Sequence, residues 1–495
     1  MKRNINILYT LLYGIFTLIV VLSHEIWADE AQVWQIVQNV SFLGLFKHLV
    51  NEGHPSLFYI INMPFAKAGC SAAFMQIFCW LCTTVSVFLL WQFAPFKQYT
   101  KFAITLSAGF LYFFPVIARS YSIIPLLVFA LALLYPHYKK KPFLYALLLF
   151  LTANTHVIML GLCALLSLDF LYCAVLKEDE KSVKKRNIFA FLIMASGMAA
   201  VVAQLALTMQ SNAVIGMHTL TLWGSCVKVF TQFFLNAVDN QWAEPGSFSF
   251  APYTVTAALI SVVLYIALFV LLFKKNKKIF AIGFLAVLFQ LLIYIAGYNH
   301  WIFVNRIFCA HLVLIFCFWI VLNKNDRLIN ILLSLFFTLT VFNGLKYAVL
   351  DIHNPYSGAK ETAEFIKNNI DKDNSVIVTD NPPYAVGVVY YLKGKNSIYC
   401  AQQQKNISYV VWDKSLLFIL DGSKWPEYAR FVMQNEPDFK NKKLYALVPF
   451  FDADKFDVDK IDNFKLIFES KPSMVKLEGF RTVSYTHLTL PTTSR

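Results

Sequence analysis

Long apolar segments separated by short polar ones make up the first 350 residues of the chain. Each apolar segment approaches the roughly 20 residues that a helix needs to cross a bilayer, so hydropathy predicts about eleven membrane-spanning helices. The predicted helices lie near residues 5–23, 72–94, 102–117, 120–136, 143–155, 157–176, 188–208, 254–273, 278–297, 305–322 and 328–349. The run 143–176 is too long for one helix, and we divide it at Asn154-Thr155-His156. The pattern therefore predicts a polytopic α-helical membrane protein.

From Asp351 onward the composition becomes that of a water-soluble chain. The predicted elements are helices at 362–369 and 385–392, and strands at 375–379, 408–412, 416–420 and 444–449. Their alternation predicts a small soluble α/β domain at residues 351–482, after a transmembrane domain at residues 1–350. The sequence of this domain contains no glycine-rich phosphate loop and no spacing of metal ligands.

Residues 483–495 are treated apart from this domain. They resemble the translation of a transposon-type sequencing adapter, most clearly at 483–492. We therefore expect this segment to be foreign to the protein, and it takes no part in the prediction of the fold.

Basic side chains are concentrated in short loops between the predicted helices. The chain of 495 residues is 58% hydrophobic and 15% charged, which excludes an ordinary soluble globular protein. Its net charge of +14 comes from 43 basic and 29 acidic residues. Threading the predicted helices in order places the basic clusters on one side of the membrane, namely Lys2-Arg3, Lys97 with Lys101, Lys139-Lys140-Lys141, 177–186, 274–278, and Lys324 with Arg327. The positive-inside rule makes that side cytoplasmic, so the charge indicates membrane orientation and not nucleic-acid binding.

The opposite face receives nearly all of the unusual polar residues. They are Asp29-Glu30, His54-Pro55, Arg119-Ser120-Tyr121-Ser122, Asn154-Thr155-His156 and Arg306, together with the C-terminal domain. Acidic side chains at the end of a span are costly to hold near lipid, so they are candidates for a functional site. A capping box from Asp29 to Gln32 at the start of an interfacial helix is an alternative that is compatible with such a site.

A carboxylate and arginines that face water at a membrane surface suit the transfer of a sugar from an isoprenoid phosphate. The lipid tail would lie between helices, and the phosphate would meet arginine at the interface. Asp29 would accept the proton of an acceptor hydroxyl as general base. Phosphate is already a good leaving group, so the second carboxyl of a glycoside hydrolase is not needed. A guanidinium compensates the negative charge that develops on the leaving phosphate.

Motifs in residues 5–350 resemble, in the same order, those of GT-C glycosyltransferases. The resemblance is closest to bacterial relatives of protein O-mannosyltransferases and of the transferase that adds aminoarabinose to lipid A. The matching segments are Asp29-Glu30-Ala31 with Trp34, Gly53-His54-Pro55-Ser56-Leu57-Phe58-Tyr59, Ala118-Arg119-Ser120-Tyr121-Ser122, Thr155-His156 and Asn305-Arg306-Ile307-Phe308. Ser56 stands where the family has a second proline, and no proline follows Arg306 at the expected place.

This resemblance implies a GT-C-like fold in a bacterial cytoplasmic membrane, with the active site and the C-terminal domain facing the outside or periplasm. It implies an inverting transfer from a polyprenyl-phosphate sugar donor to a glycan, lipid or protein hydroxyl. Asp29 would be the catalytic base, with Glu30 orienting the acceptor or substituting for Asp29. The substrate-binding residues would be His54, Arg119, Tyr121, His156 and Arg306. The two arginines would hold the donor phosphate, and His54 would shape the sugar pocket.

Several alternatives stay open at the level of sequence. Arg119 and Arg306 could extend to lipid headgroups instead of holding a substrate. A divalent cation near Asp29, Glu30 and His54 is not excluded, although the sequence contains no convincing ligand set. A polytopic transporter or lipid-linked glycan flippase is a rival function, which would require inverted repeats and charges at the membrane midplane. A non-catalytic surface assembly factor that binds partners through its C-terminal domain is a third.

Overall fold

The computed structural model describes residues 2–211, 221–239, 251–297, 304–323, 326–394, 396–400, 402–416, 425–435, 439, 442–449, 464–475 and 478–485. In this part of the chain, nine helical segments are long and apolar enough to cross a membrane. They are Asn4–Ser23, Ala73–Phe93, Ser120–His137, Val157–Leu176, Lys181–Gln210, Tyr253–Lys275, Lys277–Gly297, Val304–Val321 and Arg327–His353. The predicted polytopic helical protein is therefore confirmed.

Two of the predicted spans are shorter than this length. The one near 102–117 is an α-helix at Gln98–Leu106 followed by a π-helical turn at Gly109–Phe113. The one near 143–155 is the apolar helix Pro142–Ala153. The described residues thus contain nine long apolar helices and not the eleven that hydropathy predicts.

As far as the structure describes it, the membrane part contains sixteen α-helices, most of them apolar. The first ten α-helices are Lys2–Ser23 (α1), Ala28–Asn39 (α2), Phe42–Glu52 (α3), Leu57–Lys67 (α4), Ala73–Phe93 (α5), Gln98–Leu106 (α6), Ile124–Leu134 (α7), Pro142–Ala153 (α8), Leu160–Phe170 (α9) and Lys181–Gln210 (α10). The next six are Leu222–Val238 (α11), Ala251–Lys275 (α12), Lys277–Gly297 (α13), Val304–Val321 (α14), Arg327–Thr338 (α15) and Val341–His353 (α16). Short 3₁₀ or π-helical turns lie at Gly109–Phe113, Ser120–Ile123, Tyr135–His137, Val157–Met159 and Leu171–Leu176.

Burial distinguishes a central helix from peripheral ones. In α14, 89% of the residues in its most apolar stretch are buried, whereas in α10 only 22% are. The outer helix α1 exposes Leu11, Leu12 and Leu22. Exposed leucine side chains are unfavourable in contact with water. An apolar exterior around a closely packed central helix therefore fits a protein that is surrounded by lipid.

The basic loops meet at one end of the helices. Lys278 pairs with Asp169 at 2.7 Å, and Lys275 pairs with Asp326 at 2.7 Å. The guanidinium of Arg186 donates to the carbonyl of Lys139 at 3.0 Å. The clustering predicted from the sequence is thus present in three dimensions, and the residues of the candidate site lie at the opposite end.

The C-terminal region is a small α/β unit. Its helices are Ala359–Asn369 (α17), Pro382–Leu392 (α18) and Trp425–Asn435 (α19). Its strands are Ser375–Val378 (β1), Ile398–Cys400 (β2), Lys405–Asn406 (β3), Lys443–Pro449 (β4), Phe464–Glu469 (β5) and Phe480–Tyr485 (β6). These strands form one sheet in the order β3-β2-β1-β4-β6-β5, in which β2, β1 and β4 are parallel. Strand β3 is antiparallel to β2, and β6 is antiparallel to both β4 and β5.

Most of the elements predicted for this region are confirmed. Helices α17 and α18 and strands β1 and β4 cover the predicted segments. The strand predicted at 408–412 is wrong, because the backbone of Val410 is hydrogen-bonded to the side chain of Gln32 and not to a neighbouring strand. Residues 417–420 of another predicted strand, and residues 486–495 of the expected foreign segment, lie outside the described residues. Residues 483–485 complete strand β6.

Two glycines permit the close approach of the π-helical turn to its neighbours. A Cβ atom added to Gly344 of α16 would lie 2.8 Å from the backbone Cα of Ala108 and 3.2 Å from the side chain of Leu111. Gly109 packs in the same way against the ring of Phe308 on α14. The turn leads directly to residues 118–121, so this packing fixes where that segment emerges.

We expect Gly344→Ala to destabilise the protein by about 1–3 kcal/mol, because the new methyl group meets backbone that cannot move aside. Helix propensity alone predicts the opposite effect, which is an increase in stability of about 1 kcal/mol. The measurement is the thermal unfolding midpoint in detergent micelles. Gly297→Ala is the matched control, since nothing lies within 4 Å of its added Cβ. Equal or raised midpoints for both variants would contradict the close contact.

Candidate functional site

Helix α2 brings the two predicted acidic residues to the same turn but points them in different directions. Asp29 and Glu30 both lie in its first turn. The side chain of Asp29 is 42% exposed, whereas that of Glu30 is completely buried. The predicted capping box is wrong, because the residue that precedes the helix is Trp27 and no side chain of the loop caps it. The carboxylate of Glu478 accepts the hydrogen bond of the Ala28 amide instead.

Asp29 and Arg119 form an ion pair. One guanidinium nitrogen of Arg119 lies 2.8 Å from Oδ2 of Asp29 and also donates to its backbone carbonyl at 2.9 Å. The side chain of Arg119 is only 12% exposed, so the pair lies at the boundary between the protein interior and solvent. A buried guanidinium needs such a partner because its desolvation is costly.

Glu30 holds the backbone next to Arg119. Its Oε1 accepts a hydrogen bond from the amide of Ala118 at 2.6 Å. Its other oxygen lies 3.4 Å from Nε2 of His24. The carboxylate of Glu30 therefore points away from solvent and fixes the segment that carries Arg119. This geometry favours a positioning contact over the catalytic role that the sequence predicts for Glu30.

His24 lies between two buried carboxylates. Its Nδ1 lies 2.7 Å from Oδ2 of Asp351, and the same oxygen accepts a hydrogen bond from the Tyr112 hydroxyl at 2.7 Å. Burial disfavours a charge on the ring, but the carboxylates of Asp351 and Glu30 outweigh it and raise the pKa of His24 to about 10. An imidazolium thus joins the end of α1 to α2 and α16.

The second predicted arginine belongs to a chain of hydrogen bonds. Nε of Arg306 donates to the hydroxyl oxygen of Tyr121 at 2.7 Å. Nε2 of His156 lies 2.9 Å from the same oxygen. Nδ1 of His156 accepts a hydrogen bond from the amide of Ile158 at 3.3 Å, so in the neutral ring Nε2 carries the proton and donates to Tyr121. Burial lowers the pKa of His156, as do His54 and both arginines.

His54 faces this chain from the end of α3. That helix ends at Gly53, whose φ of 66° turns the backbone in a way that favours glycine. Nδ1 of His54 donates to the carbonyl of Glu52 at 2.8 Å, and the ring lies 5.8 Å from that of His156. Burial lowers the pKa of His54 to about 3, and the charges of Arg119 and Arg306 add to this effect. The ring is therefore neutral, and its buried Nε2 is an acceptor with no partner among the described residues.

Three polar residues of this region were missed by the sequence analysis. Glu52 is buried, and its carboxylate accepts from Gln32 at 2.7 Å and from the hydroxyl of Tyr59 at 3.4 Å and lies 3.2 Å from His48. Gln32 and Glu478 bind parts of the chain that are remote in sequence. Glu52 directly precedes the predicted Gly53-His54 motif, which is the only signal that could have indicated it.

The geometry does not provide a metal site at the predicted position. The carboxylate of Asp29 is paired with Arg119, that of Glu30 with the Ala118 amide, and Nδ1 of His54 with a carbonyl. Among the residues that the structure describes, no group of three or more His, Cys, Asp and Glu side chains could hold a metal ion.

All seven predicted site residues thus lie at one end of the helices. Asp29 meets Arg119, and Arg306, Tyr121 and His156 form a chain that His54 approaches. The charges of both arginines reach the rings of both histidines. Such a surface combines an accessible carboxylate with two cations and a neutral acceptor, which is suited to an anionic substrate that also carries hydroxyl groups.

We expect His24→Gln to cost about 3–5 kcal/mol of stability at pH 7, since it leaves two buried carboxylates without their cation. Because the pKa of His24 is raised from 6.5 to about 10, its stabilisation is complete below pH 6.5 and is lost as the pH rises through 10. The wild-type thermal midpoint should therefore fall over this range more than that of the variant. His137→Gln, at an exposed histidine, is the control. Parallel pH curves for wild type and His24→Gln would contradict the ionic network.

The chain matches no protein-family model and no curated protein. The positions of Asp29, Arg119, His54 and Arg306 and the chemistry of their side chains are therefore the basis for the function of this site.

Proposed function

We propose that this protein is an integral membrane glycosyltransferase that moves a sugar, with inversion, from a polyprenyl-phosphate sugar donor to an acceptor hydroxyl. The observation that carries the proposal is the ion pair of Asp29 with Arg119, 2.8 Å apart at the end of the helices where Arg306 and His54 also lie. The accessible carboxylate of Asp29 supplies a base, and Arg119 and Arg306, whose charges both act on His54, supply an anion site.

The donor phosphate binds between Arg119 and Arg306. Guanidinium groups bind phosphate through paired, charge-assisted hydrogen bonds, and partial burial strengthens these bonds. Phosphate arriving at Arg119 competes with Asp29 for the same N–H groups. Donor binding thus loosens the ion pair and turns the carboxylate of Asp29 towards the acceptor.

In the chemical step the acceptor oxygen attacks the anomeric carbon of the donor sugar while the bond from that carbon to the phosphate oxygen breaks. Asp29 takes the proton of the acceptor hydroxyl as this bond forms. The electron pair of the broken bond leaves with the phosphate, and the arginines stabilise the added charge. Attack opposite to the leaving group inverts the anomeric configuration.

His54 binds a hydroxyl of the transferred sugar. Its neutral Nε2 is a buried acceptor, and leaving such a group without a donor is costly. The hydroxyl groups of a sugar are suitable donors. The low pKa of His54 keeps this nitrogen available across the physiological pH range.

The proposal places the site on the non-cytoplasmic face of a bacterial cytoplasmic membrane. This topology requires that the two shorter segments, 98–117 and 142–153, also connect the two ends, which gives a GT-C-like total of about eleven crossings. The basic clusters at the opposite end support this orientation through the positive-inside rule. The C-terminal domain, which packs against α2, then faces the same aqueous compartment as the site.

We expect Asp29→Asn to lower the rate of sugar transfer by about 100- to 10,000-fold, the usual contribution of a general base. Binding of polyprenyl phosphate should persist or become tighter, because Arg119 loses its competing partner. The measurement is transfer from a radiolabelled polyprenyl-phosphate sugar in proteoliposomes, with bacterial lipid and glycan extracts as acceptors. Asp179→Asn, at an exposed residue of another loop, is the control. Unchanged transfer in Asp29→Asn, or lipid-linked sugar crossing the bilayer without transfer, would overturn the proposal in favour of a flippase.

Each of Arg119→Gln and Arg306→Gln should weaken binding of polyprenyl phosphate by about 10- to 100-fold, which corresponds to the roughly 1.5–3 kcal/mol of a hydrogen bond to a charged group. Binding is measured by quenching of intrinsic tryptophan fluorescence in micelles. Arg327→Gln removes an exposed arginine from the basic end and serves as the matched control. A loss of affinity that is equal in all three variants would indicate a general charge effect and not a phosphate site.

A further inference from the structure

The C-terminal domain reaches the first turn of helix α2 through one buried carboxylate. Both oxygens of Glu478 lie 3.1 Å from the amide nitrogen of Ala28, and Oε2 also accepts from the hydroxyl of Ser357 at 2.7 Å. Glu478 is only 1% exposed. The residue that it holds directly precedes Asp29.

This contact supplies what the loop before α2 lacks. The first amides of an α-helix have no partner within the helix and are usually satisfied by a nearby side chain. Trp27, which precedes α2, provides none. A carboxylate also complements the positive end of the helix dipole. Glu478 therefore caps α2 from a distant part of the chain.

A second polar contact lies one turn further along α2. The side-chain amide of Gln32 donates to the carbonyl of Val410 at 2.9 Å and accepts from the amide of the same residue at 2.8 Å. The pair resembles the pairing of two strands and fixes both partners in register. Gln32 also donates a hydrogen bond to the carboxylate of Glu52 at 2.7 Å. This bond links the C-terminal domain to the residue whose backbone carbonyl binds His54.

Apolar packing completes the attachment. Ala28 belongs to a buried cluster with Val386 and Val410 of the C-terminal domain. Gly387 lets α18 approach, since an added Cβ there would lie 3.6 Å from the Ala28 nitrogen and 3.1 Å from the Cβ of Ala359. The C-terminal domain thus holds one side of α2, while Arg119 and the Ala118 amide hold Asp29 and Glu30 on the other.

We propose that Glu478 is a positioning residue through which the C-terminal domain clamps helix α2 and holds Asp29 in its working position. The clamp itself follows from the contacts above, and its effect on catalysis rests on the proposed function. The acceptor oxygens of Glu478 keep the clamp closed, and removing them opens it.

The test is hydrogen exchange of the α2 amides, followed by mass spectrometry of the full-length protein in nanodiscs at pH 7. We expect Glu478→Ala to lower the protection of these amides at least 10-fold, because the Ala28 amide loses both of its acceptor oxygens. Glu478→Gln keeps an acceptor oxygen and should restore most of the protection. Glu469→Ala, at a half-exposed carboxylate of the same domain, is the control and should behave as wild type.

A second readout connects the clamp to the site. In the transfer assay, Glu478→Ala should lower kcat while leaving the KM for the donor unchanged, because Asp29 is displaced and the arginines are not, and Glu478→Gln should restore kcat. Unchanged protection in Glu478→Ala would overturn the clamp. If the exchange results hold and no transfer is found for any variant, the clamp stands and the glycosyltransferase proposal fails.

Discussion

The first turn of α2 is held by three contacts from two parts of the chain that are remote from it in sequence. Arg119 pairs with Asp29, the backbone of Ala118 binds Glu30, and Glu478 binds the amide of Ala28. Each contact satisfies a group that is costly to bury alone, whether an ion or the unpaired amide of a helix start. The other features of the site depend on this turn, because it fixes the carboxylate around which the arginines and histidines are arranged.

The difference in exposure explains why the two acidic side chains of this turn, Asp29 and Glu30, behave so differently. Asp29 is accessible to water and shares a guanidinium with solvent, so its partner is exchangeable. Glu30 is fully buried between the Ala118 amide and His24, so its partners are permanent features of the fold. A hydrogen-bonded ion of this second kind fixes geometry but is poorly placed for chemistry. Exposure therefore separates the catalytic candidate from the positioning residue in an Asp-Glu pair that the sequence treats as equivalent.

The sequence predicts the members of the site better than it predicts their supports. Asp29, His54, Arg119, His156 and Arg306 stand out because polar residues at the ends of apolar helices need a reason to be there. Glu478 and Gln32 give no such signal, since a Glu or a Gln in a water-soluble or amphipathic segment is usually solvated. Their roles arise from pairings between residues about 380 to 450 positions apart, which no periodicity reveals.

The same distinction explains the errors in secondary structure. Hydropathy measures composition, so it assigns one continuous span to 102–117, whereas the structure has the short helix α6 and then a π-helical turn that packs closely against α14 and α16. Residues 408–412 have the composition of a strand, yet the backbone N–H and carbonyl of Val410 form hydrogen bonds with the side chain of Gln32. In both places a tertiary contact overrides the local preference, and in both the contact supports residues of the site.

Under the proposed function, the ion pair at the site also sets the order in which the substrates bind. While Arg119 holds Asp29, the carboxylate is directed at a cation and not at an acceptor. An anionic donor relieves this arrangement because phosphate offers the guanidinium a partner of equal or greater charge. An acceptor that arrived first would find the base engaged, whereas one that arrives after the donor meets a carboxylate already displaced towards it. In the proposed reaction the geometry thus favours donor binding before acceptor binding.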